Sequence, residues 1–171
     1  MTRHQKHPLR IVSIWAIIIF LIDQISKYVV VHLLGLEKIG RMDVWPPYLN
    51  FRMAWNYGIN FGLLADEGVA ARWILVCVAL GIMLFVLVWL RRDPPGMLGL
   101  ISGGILVGGA LGNVVDRLVY GAVADFLNMS CCGIVNPFSF NIADIAIFVG
   151  AIGLVLFSNS KTPRDAPERM R

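Results

Sequence analysis

The sequence predicts a mainly α membrane protein: four transmembrane helices with a small extracytoplasmic β-containing cradle and an interfacial loop. Three observations lead there. Hydrophobic residues make up 57% of the 171-residue chain and charged residues only 15%, whereas ordinary soluble domains are about half apolar and about a quarter charged. The apolar excess falls in four runs, residues 11–34, 73–90, 97–119 and 138–157, close to the ~20 helical residues needed to cross a ~30 Å hydrocarbon core. Between the first two runs lies a loop too long to be a bare connector, and part of it alternates with period two. The expectation is a single integral membrane domain over residues 1–171.

The first run follows Arg3, Lys6 and Arg10. It is too long for the apolar region of a secretion signal, and no small-x-small cleavage site follows it, so it reads as a retained span. Asp23 lies near its middle and Lys27 one turn further on. Acid before base at i, i+4 places both on one face at the favourable spacing for pairing. A self-neutralising pair that anchors the helix is the plainer reading, because paired charges are the usual way membrane helices tolerate ionisable groups.

In the loop after it, Leu49, Phe51, Met53 and Trp55 alternate with Asn50, Arg52 and Ala54, the pattern of a short strand. Trp45-Pro46-Pro47-Tyr48 precedes that segment with aromatics suited to a membrane boundary. Asn56-Tyr57-Gly58-Ile59-Asn60-Phe61-Gly62 follows it and favours tight turns. The loop is either simply interfacial or a lid over a polar site. The second run, uncharged between Arg72 and Arg91, reads as a packing or lipid-facing helix.

In the third run Gly99 and Gly103, Gly104 and Gly108, and Gly108 and Gly112 recur at i, i+4. Small residues at that spacing let helix backbones approach closely, so this span is expected at the centre of the bundle. Its far end carries Asn113, Asp116 and Arg117 at i, i+3 and i+4, read as one face on which an Asp-Arg pair plus an amide is either a helix clamp or part of a site. Residues 123–127, Val-Ala-Asp-Phe-Leu, read as a short extended piece carrying Asp125. The fourth run is expected to start at Phe138, with Asn141 as a helix N-cap and Asp144 in the first turn, where the dipole favours an anion.

Orientation follows the basic residues. Nine of the 15 Lys and Arg residues lie on the two tails and the Arg91-Arg92 turn, so both termini are expected in the cytoplasm. The net charge of +4 then faces anionic membrane lipid. No basic stripe with interleaved aromatics suggests nucleic acid. Cys77, Cys131 and Cys132 form no disulfide framework or zinc-type spacing, and Cys77 is expected to pack as a small hydrophobe. His4, His7 and His32 are scattered. No metal or cofactor is expected.

Asp144 changes meaning when taken with Asp125. One outward span and one returning span bring both carboxylates to the same side of the membrane. A close pair in a low-dielectric site cannot ionise twice, and the shared-proton state is a general base and a general acid around one water. No Ser or Cys nucleophile with a partnering His is evident on that side. Aspartyl hydrolysis is the chemistry available to an enzyme built this way. A small ion- or proton-coupled transporter is the alternative, but it needs a polar route through both leaflets, and the inner halves of the spans are dry.

Asp23-Gln24-x-x-Lys27, Asn56-Tyr57-Gly58-x-x-Phe61-Gly62, Gly112-Asn113-x-x-Asp116-Arg117, Val123-Ala124-Asp125-Phe126 and Phe140-Asn141-x-Ala143-Asp144 resemble, in order, the blocks of the lipoprotein signal peptidase (signal peptidase II) family. The resemblance implies an aspartic endopeptidase of the bacterial inner membrane, with Asp125 and Asp144 as its dyad. Asp23, Lys27, Asn56, Gly62, Asn113, Asp116, Arg117 and Asn141 would line or support the site. The implied substrates are prolipoproteins, cleaved N-terminal to a diacylglyceryl-modified cysteine near the periplasmic face, with a monomer as the expected working unit. The chain carries no lipobox-like cysteine near its start, which marks it as processor and not client. Ala124 stands where many relatives carry Val, and the loop over residues 128–137 is idiosyncratic.

Overall fold

The computed structural model describes residues 7–58, 67–131 and 136–159. Helix α1 (Pro8–Lys27) starts with Pro at its first position and continues into a π-helical turn, Tyr28–Leu33. A short helix α2 (Leu36–Ile39) leads into strands β1 (Arg41–Trp45) and β2 (Leu49–Asn56). Helices α3 (Glu67–Arg92) and α4 (Met97–Tyr120) follow, then strand β3 (Val123–Met129) and helix α5 (Ile142–Phe157). Segments Pro8–Leu33, Val69–Arg92 and Met97–Tyr120 are long and apolar enough to cross a membrane, whereas α5 is a shorter apolar helix.

Helix α4 is the hub. In its apolar window 72% of residues are buried, against 28% for the first segment and 22% for α3. Glycine makes this possible. A Cβ at Gly104 would stand 2.6 Å from the Val12 carbonyl oxygen, one at Gly108 2.5 Å from that of Ala16, and one at Gly109 2.6 Å from that of Ala143. The small-residue spacing therefore serves both α1 and α5. The α5 glycines Gly150 and Gly153 return the contact against Ser102 and Leu106. Elsewhere Val12, Leu90, Leu100, Leu106 and Leu154 fill the bundle core.

The strands form one antiparallel sheet in the order β1-β2-β3. The alternation in residues 49–55 is real: Phe51 and Met53 pack with Val30, Leu36 and Phe126 into a second core beneath the sheet. Within the π-helical turn the successive residues Val30 and Val31 are both buried, Val30 in this core. Trp45 and Tyr48 stay exposed at the sheet's turn.

Three expectations need correction. The fourth helix starts at Ile142, as the expected Asn141 N-cap requires, so it does not fill the whole apolar run from Phe138: Phe140 exchanges backbone hydrogen bonds with Leu127 of β3 (3.0 and 2.8 Å) and is held extended. At 16 residues and ~1.5 Å per residue it is shorter than a full crossing. Cys77 is exposed on α3 and is not packed inside. Asp116 makes its ion pair with Lys27 and not with its neighbour Arg117.

Candidate active site

Asn141 organises the polar end of the molecule. As the N-cap of α5 its side-chain oxygen accepts from the Asp144 backbone N–H at 2.9 Å, and Asp144 Oδ2 accepts in return from the Asn141 N–H at 3.2 Å. This capping box satisfies orphan donors of the first turn and locks the Asp144 carboxylate against the helix start. The other half of the Asn141 amide points at β3: Nδ2 donates to Asp125 Oδ1 at 2.6 Å. One fully buried asparagine thus holds both candidate carboxylates.

Each carboxylate has a second amide donor. Asn56 Nδ2, from the end of β2, reaches Asp125 Oδ2 at 3.1 Å. This follows from the sheet register, in which Asn56 pairs with Val123 and Ala54 with Asp125. Asn113 Nδ2, from α4, reaches Asp144 Oδ1 at 2.9 Å. Asp125 is only 3% exposed. Burial first, and the negative charge of Asp144 second, push its pKa from 3.8 to about 6, against the opposing pull of the Asn56 and Asn141 hydrogen bonds and the Lys27 charge. A carboxyl that holds its proton close to neutrality, beside a second carboxylate, is suited to acid–base work on water.

Beneath this pair lies a buried ion cluster. Lys27 Nζ stands 2.7 Å from both Asp23 Oδ2 and Asp116 Oδ2, so it bridges α1 to α4 as well as pairing along its own helix. The remaining lone pairs are used. Asp23 Oδ1 accepts from the Ala143 N–H at 2.9 Å, and Asp116 Oδ2 accepts from the Ala124 N–H at 3.2 Å, next to Asp125. Asn113 connects the two layers: its oxygen accepts from Lys27 (3.4 Å) and Asn141 (3.3 Å) while its nitrogen faces Asp144. Arg117 donates to the Asn113 carbonyl at 3.2 Å. Its charge also acts on Asp144, Asp116 and Asp125, and its buried Nε has no partner among the described residues.

The structure therefore brings together Asp23, Lys27, Asn56, Asn113, Asp116, Arg117, Asp125, Asn141 and Asp144. Gly62, with Phe61, lies outside the described residues, as does Cys132. Among the described residues, no group of three His, Cys, Asp or Glu side chains could hold a metal ion. Sequence reasoning missed Gln24, whose Nε2 donates to Asp116 Oδ1 (3.0 Å), Asp23 Oδ2 (3.2 Å) and the Gly112 carbonyl (3.4 Å). Its place beside Asp23 on a membrane helix was the available signal. Gly112 also has a site role, because a Cβ there would collide with the Asp23 carboxylate.

Comparison with known proteins gives one answer. The profile of the family described as Signal peptidase (SPase) II matches residues 15–159. The chain is 42% identical over 118 residues to a lipoprotein signal peptidase of Methylorubrum extorquens (strain PA1), covering 69% of this chain and 68% of that one. It is 36% identical over 162 residues to the lipoprotein signal peptidase of Shewanella oneidensis, covering 92% of each. A solved bacterial membrane enzyme, determined by the in meso method at 1.9 Å, superposes with a TM-score of 0.71 at 26% identity, covering 84% of this chain and 88% of that one. A second such structure, at 2.3 Å, gives a TM-score of 0.68 at 27% identity and covers 84% of both chains. With sequence blocks, fold and relatives in agreement, the chain belongs to the signal peptidase II family and is an aspartic-type peptidase.

Proposed function

We propose that Asp125 and Asp144 are the water-activating dyad of a peptidase that removes signal peptides from diacylglyceryl-modified prolipoproteins, cutting N-terminal to the lipidated cysteine. The observation that carries this reading is the double hold of Asn141, which donates from its side chain to Asp125 and from its backbone to Asp144. It ties strand β3 to the start of α5 and keeps two acids at one spot.

The raised pKa of Asp125 makes it the member that carries the shared proton, although titration belongs to the pair. Asp144 takes a proton from water as the water oxygen bonds to the scissile carbonyl carbon. Asp125 gives its proton to the carbonyl oxygen, forming a neutral gem-diol. Collapse of the diol breaks the C–N bond as the leaving nitrogen takes up the proton held by Asp144, while Asp125 recovers its proton from the diol oxygen. The products are a signal peptide with a free carboxyl group and a lipidated cysteine with a free amino group. Asn56, Asn113 and Asn141 keep the acids oriented without neutralising them, and Arg117 is placed to meet substrate carbonyls.

A bond next to a lipid-anchored cysteine lies near the membrane boundary, and the dyad sits where α4 and α5 meet the sheet. The basic Arg91 and Arg92 end α3 at the opposite end of the bundle, which supports cytoplasmic termini and a site on the periplasmic side of the inner membrane. The donors to both acids come from one chain, so a monomer suffices. The test is cleavage of a diacylated prolipoprotein in detergent by wild type and by Asp125→Asn and Asp144→Asn. Both variants should insert and fold but leave the lipidated precursor uncut. Normal processing by either one removes the dyad from the mechanism.

A further inference from the structure

Arg72 lies on α3, outside every block that marks the family, yet its guanidinium reaches the point where α4 hands the chain to β3. Its Nη2 donates to the Leu118 carbonyl at 3.2 Å. Its Nη1 stands 3.6 Å from where a Cβ on Gly121 would be. These are the residues that end α4: Gly121, at φ +81°, stops the helix, and its N–H closes back on the Arg117 carbonyl at 3.1 Å. A last-turn carbonyl left unpaired beside lipid is costly, and a cation at a helix C-terminus complements the dipole.

Two further elements hold the same turn. Tyr120 shares a hydrogen bond with His32 Nε2 at 3.2 Å, and its ring lies 5.5 Å from that of Trp55 on β2. Arg72 is itself seated over the Trp73 ring at 5.3 Å, and its buried Nε has no partner among the described residues. Four residues past Gly121 stands Asp125.

We propose that Arg72 is a positioning residue for Asp125: by fixing the last turn of α4 from α3, it sets where β3 leaves the bundle and so where the Asp125 carboxyl meets Asp144. This rests on the dyad reading above. Loosening the turn moves one acid relative to the other while leaving the substrate's apolar contacts in place, so it acts on turnover rather than on binding.

The experiment measures kcat, KM and the pH profile for cleavage of a diacylated peptide by wild type, Arg72→Met and Arg72→Lys, with thermal melts on the same samples. Arg72→Met should lose at least tenfold in kcat with KM within about twofold, and the acidic-to-neutral limb of its pH profile should shift. Arg72→Lys, which keeps a cation able to reach the Leu118 carbonyl but lacks the planar fork of the guanidinium, should recover part of the rate. Wild-type kcat in Arg72→Met overturns the proposal. So does a loss in Arg72→Met that only tracks the fraction of folded protein while Arg72→Lys keeps the wild-type pH profile. Asp125→Asn run alongside separates the failures: if it cleaves normally, the dyad reading fails; if it is inactive and Arg72→Met is not impaired, only the positioning role does.

Discussion

Asp125→Asn should change stability by an amount that depends on pH, which tests the electrostatics of the proposed dyad apart from its chemistry. Asp125 is 3% exposed and its pKa is raised from 3.8 to about 6 by burial and by Asp144. Between those two pH values the folded protein holds a proton there that the unfolded chain has released. The native state then binds more protons, so stability falls as pH rises through that window and stays at the lower value above it. Taken at face value, a change from 3.8 to about 6 corresponds to ~3 kcal/mol. Water reaching the mouth of the site screens this to on the order of 1–2 kcal/mol.

Asparagine has no proton to lose. The amide also changes the hydrogen bonding, since both Asn56 and Asn141 donate to Asp125 and one amide oxygen cannot serve both as well. That offset is the same at every pH and cancels in the comparison. The assay is thermal unfolding of wild type and Asp125→Asn in one detergent at pH 4 and pH 7. At roughly 2–4 °C per kcal/mol for a chain of this size, the difference in Tm should move by about 4 °C in favour of the variant on going to pH 7. A difference that does not vary with pH, or that moves the other way, would show that Asp125 does not bear a buried charge beside Asp144.

Two further substitutions probe the frame. Lys27→Met strands two carboxylates, Asp23 and Asp116, which are 0% and 1% exposed, and should cost about 3–5 kcal/mol; adding Asp23→Asn should recover only part, because Asp116 still lacks its cation, and full recovery by the double variant would reduce the cluster to a simple i, i+4 pair. Gly108→Ala puts a Cβ 2.5 Å from the Ala16 carbonyl oxygen and should destabilise by about 1–3 kcal/mol. Gly81→Ala, with nothing within 4 Å, should gain up to about 1 kcal/mol; equal melting temperatures for these two would contradict the close packing of α1 on α4.

Three of the spans were legible because hydrocarbon thickness sets a length and the sequence meets it, whereas the fourth helix falls short of it. The clustering of Asp23, Lys27, Asp116, Arg117 and Asp144 was legible because ionisable residues in apolar runs are few. What the sequence hid was direction. Asp116 and Arg117 look like neighbours in a pair, but adjacent helical residues point about 100° apart, and Asp116 turns to Lys27 on α1 while Arg117 turns back to the Asn113 carbonyl. The apolar run from Phe138 reads as part of the fourth span because apolar residues suit either state; the bonds from Phe140 to Leu127 hold its start extended. Strand β1 escaped notice because Arg41 and Asp43 break its apolar content, although its edge position, with Arg41 Nη2 paired to Asp43 Oδ1 at 3.2 Å, tolerates them. The π-helical turn has no signature beyond the successive valines it buries.

Helix glue and support of the two candidate acids form one network, and under the proposed mechanism its layering has a chemical reason. A lysine in direct contact with Asp125 would hold that carboxyl ionised and remove the proton the reaction needs. Lys27 instead spends its contacts on Asp23 and Asp116 and meets the upper layer through Asn113. Asn113 accepts from the ammonium and turns a neutral N–H to Asp144, so that acid is oriented by a dipole and not quenched by a charge. Asp116 fixes the backbone at Ala124, one residue before Asp125, again without touching the carboxyl. The cation makes burial of the frame tolerable, and the amides keep it one residue removed from the acids. Any substitution that let Lys27 reach Asp125 or Asp144 directly should therefore lower activity.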